Sequence, residues 1–224
     1  MRLIDDPAAA RAALTSPDFV VPAPGEPGKP ARTGIRWLRA NVGRFTDGEA
    51  HERRRAAQVA VLTAIPLDAL RSGGSAHPVE TLARAMGVTE PVVDLVRDAA
   101  QAYQPGTGDE PRADAAVDEL VAVFGGVFDE AAAARIGILV QACDATATLI
   151  DRARHRSIDA VLRDDPPVAA TKRQALVTTS INGMLIEAGE VVRVRLAGDL
   201  AFGAGARRCP GRAHALALSE QSST

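Results

Sequence analysis

Residues 202–211 read FGAGARRCPG. In this stretch Cys209 stands two residues ahead of Gly211, where a helical pattern begins and runs to Leu218. The amide end of a helix favours negative charge, so a cysteine at its mouth is biased toward thiolate. A turn at that point aims the sulfur outward, and backbone amides around it can donate to a metal-bound sulfur and tune the metal. Gly205 admits a positive φ or a close approach of the backbone to a flat surface. Gly211 lets the following helix pack near the same surface. Arg207 is placed to pair with a carboxylate, and Phe202 packs beneath the sulfur to keep water out. The bland alternative is a glycine-rich turn before a helix, with an inert buried cysteine.

Working outward, the segments before this loop are rich in β-branched residues. Residues 168–179 and 185–196 read as a small β region, with the turn Glu187-Ala188-Gly189 inside the second run. Upstream, residues 130–155 form the longest uninterrupted helical pattern, with Ile136, Leu139, Cys143, Thr146 and Ile150 along one side. Ser157 opens a short helix to Arg163, stopped by Pro166-Pro167. Nearer the start, Asp6-Pro7 opens a helix to about Thr15, and residues 19–34, crowded with proline and glycine, read as a surface loop. Thr46 and Glu49 form a candidate capping box for the helix HERRRAAQVAVLTAI. Further helices fit PVETLARAM with Gly87 as its stop, residues 90–103, and residues 115–128 interrupted near Gly125-Gly126; residues 105–111 between the last two read as a connection. The expectation is one mainly α domain over residues 1–224 with a small β region.

Composition narrows the function classes. The chain has 224 residues, 46% apolar and 24% charged, with a net charge of −2. That balance argues against nucleic acid or an anionic membrane as partner. No apolar run of spanning length is read, the opening MRLIDDPAAARAAL lacks a basic segment followed by an apolar one, and the two cysteines make no disulfide framework, so a cytoplasmic protein is expected.

FGAGARRCPG resembles the cysteine loop of cytochrome P450, Phe-x-x-Gly-x-Arg/His-x-Cys-x-Gly, at every fixed position. The resemblance implies a shortened P450-like fold and a haem b cofactor, with Cys209 as the thiolate ligand of the iron and Phe202, Gly205, Arg207 and Gly211 as haem-loop residues. Other segments follow in the family's order. His51 and Arg55 in HERRR resemble the helix pair that grips the haem propionates, and at i, i+4 they share a helix face; taken alone, a solvated charged helix is the better explanation, and the cysteine loop tips the reading the other way. Arg173 in VAATKRQA resembles the strand arginine that meets a propionate, the alternative being a surface charge. In ILVQACDATATLI, Ala142 and Thr146 resemble the distal helix residues over the iron, with Thr146 in the catalytic position. There Cys143 replaces a glycine, and Ala145 replaces the relay acid. Asp144 stands one residue early, about 100° round the helix. The resemblance implies cradle helices near residues 49–63, 130–155 and 211–218 with the 202–211 loop.

The departures matter as much. A typical P450 is roughly twice this length, and the missing chain falls between the motifs. The motif Glu-x-x-Arg keeps Arg163 but places Ala160 where the Glu belongs, with Asp159 one position off. An unpartnered Arg163 is costly to bury, so it is expected to be exposed or partnered anew. Two functions follow. One is a haem-thiolate oxidoreductase, a monooxygenase or a peroxide-driven enzyme, acting on a small apolar substrate. A ferredoxin-type donor would dock on a basic face around Arg207, Arg208 and Arg212. Lacking the relay acid, peroxide-driven or redox-neutral chemistry is favoured over O₂ activation. The other is a degenerate P450-like auxiliary protein without oxygenase turnover.

Overall fold

The computed structural model describes residues 1–23, 31–72 and 77–220. In chain order they form β1 (Leu3–Ile4), α1 (Pro7–Thr15), β2 (Phe19–Val20), α2 (Gly34–Asn41), α3 (Gly48–Thr63), α4 (Leu67–Arg71), α5 (Pro78–Ala85), α6 (Val93–Gln101), α7 (Glu110–Val123), α8 (Glu130–Ala153) and α9 (Ile158–Asp164). Then come β3 (Ala170–Ala175), β4 (Thr179–Ile181), β5 (Met184–Ile186), β6 (Val191–Arg195) and α10 (Arg212–Glu220). The mainly α class with a small β region is as expected. These elements pack as two compact units, Met1–Ala23 with Arg152–Cys209 and Pro24–Asp151 with Pro210–Thr224.

In the first unit, a four-stranded sheet has the order β1-β6-β3-β2. β6 alternates with period two: Val192 and Val194 are fully buried, and Arg193 and Arg195 face out. β3 pairs antiparallel to it, so Arg173 lies opposite Val192 on the core face. α1 begins as read, with Asp6 accepting from the Ala9 amide at 2.8 Å and Pro7 in its first turn. Its Ala9, Ala10, Ala13 and Leu14 join Ile4, Val192 and Val194 in one apolar core. β4 and β5 form a separate hairpin in which Asn182 (φ 48°) and Gly183 (φ 78°) both adopt the left-handed conformation of a tight two-residue turn.

The reading of residues 19–34 as a surface loop needs correction at both ends. Phe19 pairs with Ala175 and is buried, because pairing with β3 overrides a local composition that disfavours strands. Residues 24–30 lie outside the described residues. Gly34 opens α2, whose first amides are capped from far away: Gly34 N–H donates to Asp118 at 2.8 Å and Ile35 N–H to Asp114 at 2.7 Å.

The second unit is a helical pack. Ile35, Leu38, Val79, Leu82, Val96, Val117, Leu120, Ile136, Leu139 and Leu218 are within 2% of full burial in its core. α6 and α2 pack on α7, and α10 packs on α4. Several boundaries moved. α3 is capped at Asp47 rather than Thr46, whose hydroxyl instead donates to the Val42 carbonyl at 3.2 Å, so no capping box forms with Glu49. Pro66 ends the apolar run after α3 and starts α4. α6 starts at Val93, beyond Pro91. α7 starts at Glu110, inside the stretch read as a connection, because Asp109 caps it by accepting from Arg112 N–H at 3.1 Å. It ends at Val123, before Gly125 and Gly126, both with positive φ.

α8 matches its reading to within two residues. By length and composition it is also apolar enough to cross a membrane, with a mean hydropathy of 1.3 over its best window, which corrects the expectation that no such run exists. Yet 56% of that window is buried, as in a core helix. The packing against it is tight: a Cβ on Gly137 would stand 2.9 Å from Val42 Cγ1 and 3.3 Å from Gln58 Nε2. Gly137→Ala is therefore expected to set an overpacking cost of about 1–3 kcal/mol against a helix-propensity gain of about 1 kcal/mol, a net loss of up to about 2 kcal/mol read as a lower denaturation midpoint at unchanged slope.

Candidate functional site

The cysteine loop is a built turn within the first unit. A 3-10 turn at Gly198–Leu200 leads in, and a second follows at Gly205–Arg207. Gly203 N–H donates to Leu200 O at 2.8 Å, Arg208 N–H to Gly205 O at 3.1 Å, and Cys209 N–H to Phe202 O at 2.8 Å. These bonds close the loop on itself and leave the Cys209 residue exposed. Cys209 is therefore not the buried cysteine of the alternative reading. Phe202 and Arg207 are half-buried, and with Cys209 open to solvent the Phe202 ring does not by itself keep water from the sulfur. Gly205 has φ +66°, and its lost Cβ would meet the end of α1, 3.0 Å from Leu14 O. Its glycine requirement is thus met within the protein. Arg173 is 4% exposed, which removes the surface-charge alternative; its Nη1 donates to Lys172 O at 2.9 Å and Thr171 Oγ1 at 3.2 Å.

The damaged Glu-x-x-Arg motif lies in the same unit. α9 is capped by Ser157, which accepts from Ala160 N–H at 3.2 Å. Arg163 is 64% exposed and pairs with Asp164 at 3.0 Å, which also takes Arg156 at 2.5 Å. The expectation of a newly partnered, exposed Arg163 holds.

In the second unit, His51 is buried in the first turns of α3 and Arg55 is half-buried one turn on. Both pack close to Gly43, where an added Cβ would lie 3.6 Å from His51 Cδ2 and from the Arg55 amide. The charges between them serve another purpose. Arg53 donates to both Glu130 oxygens at 2.9 and 2.8 Å, and Arg54 donates at 3.0 Å. HERRR is thus not uniformly solvated: Arg53 and Arg54 clamp the start of α8, while His51 is buried and Arg55 half-buried. This clamp went unread because its partner lies some eighty residues away.

The hydrogen bond from Arg53 is the main cause that pulls the Glu130 carboxyl down to about 2, with Arg54 adding and partial burial opposing. Depression of a folded-state carboxyl means the stabilisation is present above the ordinary range near 4.3 and is lost as pH falls toward 2. Glu130→Gln is expected to flatten the dependence of the urea midpoint on pH across that window, by a small amount because Arg53 is exposed.

α8 carries Ala142 half-buried, Cys143 1% exposed, Asp144 exposed and Thr146 5% exposed. Burial pushes the Cys143 thiol up to about 11, with Asp144 next in weight. It is a core packing residue, as read. The helix is unbroken through residues 142–146. Gly211 accepts the first helical bond of α10, from Ala215 N–H at 2.9 Å.

Whether these residues suit a haem can be judged from the donor set. Among the described residues no three His, Cys, Asp or Glu side chains gather as metal ligands. What the chain offers is one exposed sulfur on a hydrogen-bonded turn. That set fits a metal which brings its remaining ligands in a ring, as haem does.

No protein-family pattern matches the chain, and no curated protein matches it in sequence. Solved structures do match. P450BioI, in complex with an acyl carrier protein ligated with hexadec-9Z-enoic acid, matches with a TM-score of 0.68 at 16% identity, over 95% of this chain and 80% of that one. CalO2 matches with 0.70 at 18% identity, over 98% and 81%. P450 RauA, complexed with a biosynthetic intermediate of aurachin RE, matches with 0.61 at 18% identity, over 97% and 83%. At 224 residues, nearly the whole chain aligns to them, and its fold is a shortened cytochrome P450 fold.

Proposed function

We propose that the chain is a haem-thiolate oxidoreductase, in which Cys209 would supply the thiolate that holds a haem b and a small apolar molecule would be the substrate. The observation that carries this reading is the exposed Cys209 on a loop closed by its own amide to Phe202 O. A thiolate-ligated haem supplies cleavage of an O–O bond and transfer of oxygen to substrate. Around it the chain's residues hold and orient. Cys209 would ligate a bound haem; Arg207, His51, Arg55 and Arg173 would supply positive charge for its propionates; Phe202, Gly205 and Gly211 would shape the backbone beside it. Ala142 and Thr146 on α8 would belong to the helix over the bound group, with the Thr146 hydroxyl the candidate for holding a proton there. With Ala145 in the relay position, peroxide use is favoured over O₂. The exposed Arg208 and Arg212 would offer cationic side chains to an acidic ferredoxin-type donor. The reading of residues 1–224 as one functional domain, cytoplasmic and without nucleic acid or membrane partners, belongs to this proposal.

A second reading, a P450-like auxiliary protein without turnover, is favoured by one group of observations. Thr146 and Cys143 are buried in an unbroken helix, and Arg163 has left its motif for Asp164. Reconstitution with haem, reduction and exposure to carbon monoxide separates the two. A red-shifted thiolate–CO Soret band is the result expected of the enzyme; absence of any Soret absorbance leaves the auxiliary reading.

A further inference from the structure

Resting on the reading of Cys209 as a haem ligand, we propose that α1 is the platform that sets the position of the Cys209 loop, with Gly205 as the positioning residue through which it acts. Three points of the segment leading to Cys209 are seated on this helix, all within one unit. Asp199, in the 3-10 turn before the loop, forms an ion pair with Arg11. Ala204 is buried in the same core as Ala10, Ala13 and Leu14. Gly205 rests on the last turn of α1: its Cβ would stand 3.0 Å from Leu14 O, 3.2 Å from Thr15 Cα and 3.3 Å from Thr15 Cγ2. Two of those three are backbone atoms, which cannot swing aside. α1 is itself tied down at its start and closed by its own last bond at its end. Asp6 caps it and accepts from Asn182 Nδ2 at 3.0 Å, and Ser16 N–H closes it on Ala12 O at 2.9 Å. Because Cys209 N–H is tied to Phe202 O, a displacement at Gly205 is carried to the sulfur through four residues of closed turn.

Gly203 provides the control. Its φ is +73°, close to that of Gly205, yet a Cβ there would meet nothing nearer than 3.8 Å and nothing of α1. A loop that merely resists alanine at positive φ predicts equal effects of Gly203→Ala and Gly205→Ala. A platform predicts that Gly205→Ala alone disturbs α1. Amide hydrogen exchange on the full haem-free chain reads this directly. Gly205→Ala is expected to speed exchange at Arg208, Cys209 and Ser16 about tenfold more than Gly203→Ala, with the Val96 amide in the other unit unchanged. Equal effects, or an unmoved Ser16, overturn the platform. Should Gly205→Ala not fold, Arg11→Glu places like charges at Asp199 and is expected to speed the Arg208 and Cys209 amides about twofold, as suits an exposed pair; no change overturns the proposal. In the haem-loaded protein, Gly205→Ala should lower the fraction of CO complex in the thiolate band at least about twofold relative to Gly203→Ala. A wild-type protein without that band overturns the haem reading and the positioning role with it. A normal wild-type band with equal effects of the two alanines overturns the platform alone.

Discussion

Cys209→Ser is expected to abolish the red-shifted carbon monoxide band of the reduced, haem-loaded protein. A serine hydroxyl is a far weaker acid than a thiol, and a neutral oxygen neither holds the iron as firmly nor pushes electron density into it. The loop itself should survive, because its closure uses the backbone amide of residue 209 and the Phe202 carbonyl, not the sulfur. The change therefore separates ligand from scaffold. Cys143 cannot stand in. Its thiol is buried and pushed up to about 11, which disfavours the thiolate a ligand must be. Cys143→Ser should leave the band in place. A spectrum unchanged by Cys209→Ser would sink the ligand assignment.

The largest loss of stability is expected from Arg39→Met. Arg39 is fully buried in the helical unit, with its side chain 1% exposed. Its guanidinium donates to Tyr103 O at 3.2 Å, to Ala102 O at 2.5 Å and to Glu110 at 2.8 Å. One side chain thus satisfies carbonyls at the end of α6 and pairs with the first residue of α7. Methionine keeps most of the volume but leaves those carbonyls without their donor. Unmade buried bonds to a charged partner place the cost at about 3 kcal/mol. For a protein of this size that lowers Tm by about 10 °C, measurable by calorimetry. A shift under 2 °C, on the order of 0.5 kcal/mol, would mean that water replaces the guanidinium and that the burial is not what stabilises the α6–α7 corner.

Arg39 also illustrates why part of this molecule could not be read from its residues. It sits in the helix GIRWLRAN, which has no side-chain cap of its own and begins at a glycine. The carboxylates that cap it, Asp114 and Asp118, belong to α7. No local pattern announces a cap supplied from so far along the chain. The same holds for β2, which exists because β3 lies beside it. It holds again for the Arg53–Glu130 clamp, in which two ordinary surface residues meet.

Where the deciding physics is local, the sequence alone was sufficient. Asp6-Pro7 placed the start of α1, Ser157 the start of α9, and the 3.6-residue spacing of Ile136, Leu139 and Cys143 the long helix α8. The ten residues of FGAGARRCPG pointed to the fold through their resemblance to the P450 cysteine loop; what they encode physically is their own turn and the helix start after it. Only the tertiary structure decided which charges are buried, since burial depends on what the far chain brings alongside. It turned Arg173 and His51 inward and Arg163 outward, and it set Gly205 against the backbone of α1. Short-range hydrogen bonds and periodicity are written in adjacent residues. Desolvation and close backbone approach are properties of packed surfaces, and they exist only once those surfaces meet.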